Sequence, residues 1–120
     1  MATAFVFARD LDPEVSIGQI ACRTPSGEPA LVRNHWESSS HADAIVRALL
    51  ALVTVATKKS QAIDIVVGDA AVVRMVTDRT RTLGGQAAEI RRLLSTSSGR
   101  LTVRYGRAPQ VFGHHAELLV

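Results

Sequence analysis

The sequence predicts an α/β fold: a mixed five-stranded sheet, three antiparallel strands followed by two parallel ones, flanked by helices. Three observations carry that expectation. The first 37 residues hold three strand candidates separated by short turns, which indicates an antiparallel meander. A long amphipathic helical stretch follows. Beyond it, "IDIVV" (63–67) runs straight into "AAVVRMV" (70–76), the pattern of a buried strand feeding a helix.

The elements follow in order. "TAFVFARD" (3–10) is the first strand, closed by a turn on Pro13. "VSIGQIACRT" (15–24) is the second and "ALVRNHWE" (30–37) the third, with the turn "PSGEP" between them. "SSSHADAIVRALLALVTVATKK" (38–59) is the strongest helix, with serines for capping in front, Val46, Leu49, Leu50 and Val53 at helical spacing, and lysines at its end. A strand at 62–68 leads to a helix from about Ala70, "TRTLGG" (80–85) breaks that helix, and "GQAAEIRRLLSTSS" (85–98) forms the next. "GRLTVRYGR" (99–107) is the last strand, and "PQVFGHHAELLV" a loop entering a short helix. Strands that each follow a helical segment join most naturally parallel to strand one, by right-handed crossovers.

The bulk numbers bound the function. A length of 120 residues suits one domain, 1–120, with a real core. Hydrophobic residues at 47% and charged residues at 21% are an ordinary globular balance, and Arg47 interrupts the longest apolar run, so no membrane span is expected. "MATAFVFARD" lacks the pattern of a secretory signal, and the single cysteine, Cys22, excludes an internal disulfide framework and a cysteine-based zinc site. A cytoplasmic protein is the expectation. A net charge of +3 permits a nucleic-acid partner without demanding one.

The acids are where chemistry is expected. Asp10 ends strand one, Asp69 ends the strand at 62–68, Asp43 lies in the first turns of the long helix, and Glu117 sits in the closing segment. Asp43 shares a helical stripe with Val46 and Leu50 and so leans toward the sheet. If strands one and four are adjacent and parallel, Asp10 and Asp69 emerge side by side. Asp12 rivals Asp10, but strand parity puts Asp10 on the face of Val6 and Ala8. Each acid also has a plain alternative: Asp69 as a helix N-cap, Asp43 as an acid near a helix N-terminus, Glu117 as a solvated side chain.

This arrangement, with "VFARD", "HADAIVRALLAL", "VVGDAAVVRMV" and "HHAELL" at the four acid stations and "IGQIA" in strand two, resembles the ribonuclease H-like superfamily. Within it, the type I ribonucleases H are most similar. The resemblance implies an endonuclease cutting the RNA strand of RNA–DNA hybrids with two Mg²⁺ (or Mn²⁺) ions held by Asp10, Asp43, Asp69 and Glu117. It further implies a mobile basic residue near the last acid, for which His114 and Arg107 are the candidates. The chain departs from the family in three places. "DLDPE" replaces a Gly-rich segment after the first acid, serines 38–40 replace an asparagine pair, and only "TDRTRTLGG" separates the middle helices, so the basic protrusion of some members is missing. Arg74, Arg91 and Arg92 are then the candidates for phosphate contact. Two alternatives remain: a ribonuclease H-like module of weak or no activity that binds nucleic acid or a protein, and an unrelated α/β binding domain with scattered acids.

Overall fold

A computed structural model of the chain describes residues 2–12, 14–23, 29–38, 40–78 and 84–107. Three strands open it: β1 (Ala2–Asp12), β2 (Val15–Arg23) and β3 (Pro29–Ser38). Helix α1 (His41–Lys58), strand β4 (Ile63–Val67), helices α2 (Ala70–Thr77) and α3 (Gly85–Thr96), and strand β5 (Leu101–Tyr105) follow. The five strands form one mixed sheet in the order β3-β2-β1-β4-β5. Pairing is antiparallel for β1 with β2 and β2 with β3, and parallel for β1 with β4 and β4 with β5.

Alternation along the strands divides the apolar residues between the two faces. Ala4, Val6, Ile20, Ile63, Ile65, Val67 and Leu101 face one way and join Ile45, Leu49, Val53, Val72, Val76, Ile90 and Leu93 in a single core. All three described helices therefore lie on this one face. Phe5, Phe7 and Val66 form a smaller cluster on the other. The helix expected near the carboxyl terminus lies outside the described residues, and the described helices cover one side of the sheet only.

Helix α1 packs closely on the sheet at Gly18. A Cβ placed there would collide with the Ala44 carbonyl oxygen and lie 3.1 Å from the Ala48 Cβ. Only a residue without a side chain permits this approach. The contact fixes the amino-terminal turn of α1 over β2, at the end of the sheet where β1 finishes. The helix starts at His41 rather than at residue 38 because Ser38 is still paired with Ser16 in the ladder, and Ser40 supplies the cap by accepting from the Asp43 N–H at 3.1 Å.

Candidate active site

The site is built at the carboxyl ends of β1 and β4, where open α/β sheets place their ligands. Asp10 is opposite Ser16 on β2, and Ser16 is opposite Ser38 on β3. Directly opposed residues share a face, so these three positions form one row across the sheet. They share the face of Gly18 and hence of α1. Ser16 is buried. Ser38 closes the row onto the helix: its hydroxyl donates to Asp43 Oδ2 at 2.5 Å. The row thus runs from Asp10 on β1 across Ser16 to Ser38 on β3, two strand spacings or roughly 10 Å away, and Ser38 bonds Asp43 at its far end.

The same ladder separates Asp10 from Asp12. Register shifts between them, so Asp10 opposes Ser16 while Asp12 opposes Val15, and the extra residue is Leu11. The row therefore includes Asp10 and not Asp12. Asp69 arrives from the neighbouring strand but is not level with Asp10. The β1–β4 ladder ends with Val6 opposite Val67, and the Gly68 N–H then donates to the Val6 carbonyl at 2.9 Å. Counting on from Val67 puts Asp69 level with Ala8, two residues short of Asp10, or roughly 6–7 Å along the strand. The side-by-side expectation becomes a staggered one.

Asp69 caps α2. Its Oδ1 accepts from the N–H groups of Ala71 at 2.8 Å and Val72 at 3.1 Å. This meets the N-cap alternative directly, and it fixes the carboxylate so that one oxygen is committed to the helix. Asp43 is half-exposed, leaning toward the end of β3 rather than into the core. Its Oδ2 takes a second donor, Arg47 Nε at 2.8 Å. The Ser38 hydroxyl, and secondarily the Arg47 guanidinium, hold the Asp43 carboxyl below its ordinary range, against a weaker opposing effect of partial burial.

Sequence reasoning singled out Asp43 but joined neither neighbour to it: Ser38 was read with Ser39 and Ser40 as helix capping, and Arg47 only as a break in the apolar run. Arg47 carried a usable signal: a cation four residues after an acid on a helix is its natural partner. Ser38 carried none, because its contact depends on where β3 ends.

The basic residues sort differently. Arg91 does not face outward to a phosphate: its Nη2 donates to the Met75 carbonyl at 3.0 Å and to that of Asp78, tying α3 to the end of α2. Two carbonyls at a helix carboxyl end are a natural guanidinium site, since they lack intrahelical partners. Arg92 pairs with Glu89 on the exposed face of α3 and holds that carboxyl below its usual range. Arg74 is exposed on α2, and Arg107 is exposed after β5. His114 and Glu117 lie outside the described residues. Among the described residues no three His, Cys, Asp or Glu side chains converge. Asp43 and Asp69 are the two of the four expected acids whose side chains are described.

No protein-family model matches the sequence, and no curated protein matches it either. Solved structures do. The N-terminal RNase H domain of a Mycobacterium tuberculosis protein superposes with a TM-score of 0.60 at 14% identity, covering 98% of this chain and 95% of that one. RNase H1 from Halobacterium salinarum gives 0.59 at 13%, covering 98% and 92%. LC11-RNase H1 in complex with an RNA/DNA hybrid gives 0.59 at 13%, covering 100% and 94%. The fold is therefore ribonuclease H-like. No described helix is long and apolar enough to cross a membrane.

Proposed function

We propose that residues 1–120 form a single ribonuclease H-like domain that hydrolyses the RNA strand of RNA–DNA hybrids, with Asp10, Asp43, Asp69 and Glu117 holding two Mg²⁺ or Mn²⁺ ions. The observation that carries the reading is the row Asp10–Ser16–Ser38, bonded through Ser38 to Asp43, beside Asp69 at the end of the adjacent strand. An all-oxygen, anionic donor set drawn from separate elements suits a hard divalent cation. The complex of LC11-RNase H1 with an RNA/DNA hybrid, on the same fold, supports the choice of substrate.

Divalent ions bound there supply an activated water and neutralise the charge on the leaving oxygen. The chain's own residues do the positioning. Ser38 fixes the Asp43 carboxylate, and the α2 N-terminus fixes that of Asp69. His114 or Arg107 would serve near the leaving group, His114 as a proton carrier. Arg74 and Arg92 would meet phosphates along the groove, reading A-form shape rather than base sequence.

The test is cleavage of labelled RNA–DNA hybrid, RNA duplex and single strands in Mg²⁺, Mn²⁺ or EDTA. The expected result is hybrid-selective, EDTA-sensitive cleavage, abolished in Asp69→Asn. A second reading, a module that binds nucleic acid without cutting it, is favoured by one observation. Asp43 and Asp69 each already have two donors within the protein. Hybrid binding without cleavage in any metal would establish it.

A further inference from the structure

Of the two candidate ligands whose side chains are described, Asp43 and Asp69, Asp43 is the one with a cation on it. Arg47 Nε lies 2.8 Å from Asp43 Oδ2, the same oxygen that Ser38 holds at 2.5 Å. Both side chains of the ion pair are about half exposed, 48% for Arg47 and 44% for Asp43. An exposed pair one helical turn apart adds little to folding stability. Its electrostatic effect on the site is another matter, because a fixed guanidinium cancels one of the charges that would attract a divalent ion.

We propose that Arg47 is a resident counter-cation of the acidic site, lowering its affinity for divalent ions by neutralising Asp43 until an ion competes for that carboxylate. This rests on the metal-site reading under Proposed function. Ser38 and Arg47 act on the same oxygen in different ways. The Ser38 hydroxyl is neutral: it orients the carboxylate and favours its ionised form without adding charge, whereas Arg47 brings a charge that opposes an incoming ion. Removing one weakens the site, and removing the other strengthens it. That opposition of sign sets the charge effect apart from a simple loosening of the side chain.

The experiment is Mn²⁺ titration of the metal-free chain, following free Mn²⁺ by electron paramagnetic resonance, with far-ultraviolet circular dichroism to show that each variant is folded. Arg47→Gln is expected to tighten binding about three- to tenfold at low ionic strength, the range for one unit charge beside a divalent ion in a half-exposed setting, and less in high salt. Arg47→Lys, which keeps the charge, should bind as the wild type does. Ser38→Ala should bind more weakly. Binding that appears only in Arg47→Gln and disappears again on adding Asp43→Asn would support the proposal in its strongest form. Saturable binding that needs Asp43 but is unchanged or weakened in Arg47→Gln overturns the Arg47 proposal and leaves the metal site standing. No saturable binding in the wild type or any variant overturns both.

Discussion

Gly18 lies directly beneath Ala44, so close that a methyl group at residue 18 would run into the Ala44 carbonyl oxygen. The obstacle is helix backbone, not the tip of a flexible side chain, so it cannot swing aside. Asp43 is the residue before Ala44, and the same contact therefore sets the height of the candidate site above the sheet. Gly18→Ala is expected to cost about 1–3 kcal/mol through overpacking. A drop in melting temperature on the order of 4–8 °C per kcal/mol would report it. Any hybrid cleavage should fall further than the stability loss explains, because Asp43 moves with the helix.

The two roles of Asp69 can be separated by substitution. Asn retains a side-chain oxygen for the Ala71 and Val72 N–H groups, whereas Ala does not. Asp69→Ala should lose about 0.5–2 kcal/mol in urea unfolding and Asp69→Asn only a few tenths. Cleavage should vanish in both. An active Asp69→Asn would reduce the residue to a cap.

Acid titration offers a test of the Ser38–Asp43 bond. The Asp43 pKa is lower in the folded chain than in the unfolded one, with the Ser38 hydroxyl as the largest cause. Its contribution is therefore fully present above the unfolded value of about 3.9 and lost as pH falls through the depressed folded value. Ser38→Ala should destabilise the fold modestly near neutral pH, and the gap from wild type should shrink once the carboxyl is protonated in both. Denaturant midpoints measured between pH 7 and pH 2.5 decide it: a gap that stays constant with pH would assign the loss to packing.

Arg91 and Arg92, neighbours in sequence, should behave differently. Arg91→Ala removes donors to the Met75 and Asp78 carbonyls and should cost roughly 1–3 kcal/mol of stability, leaving the salt dependence of nucleic-acid binding unchanged. Arg74→Ala with Arg92→Ala should leave stability nearly intact and flatten the slope of log affinity against log salt by roughly 0.7–0.9 for each phosphate no longer neutralised. Binding isotherms at three salt concentrations would show which of these arginines face the substrate.

Much of the fold was legible because its signals are local. The β-branched run Ile63–Val67 and the stripe of α1 identify their elements without reference to anything distant. The acids were legible as ends of elements for the same reason. What could not be read were quantities set by pairing. The bulge at Leu11, which separates Asp10 from Asp12, is a property of the β1–β2 ladder. The stagger between Asp10 and Asp69 depends on where the β1–β4 ladder stops. Arg91 looked like its neighbour in sequence, and only the packing of α3 against the end of α2 shows which carbonyls it meets.

Strand β1 runs on to Asp12, yet its pairing with β4 ends at Val6, so among the described residues its second half is hydrogen-bonded along one side only. A central strand thus becomes an edge strand halfway along its length. Open edges recruit strands from other molecules, and charged residues are a common defence. This half of β1 carries three: Arg9, Asp10 and Asp12. Asp10, proposed to hold metal, would then also act with Arg9 and Asp12 as a gatekeeper of solubility. Asn in place of both Asp10 and Asp12 should leave a chain that folds but self-associates on concentration, visible as a rise in light scattering that added salt accentuates.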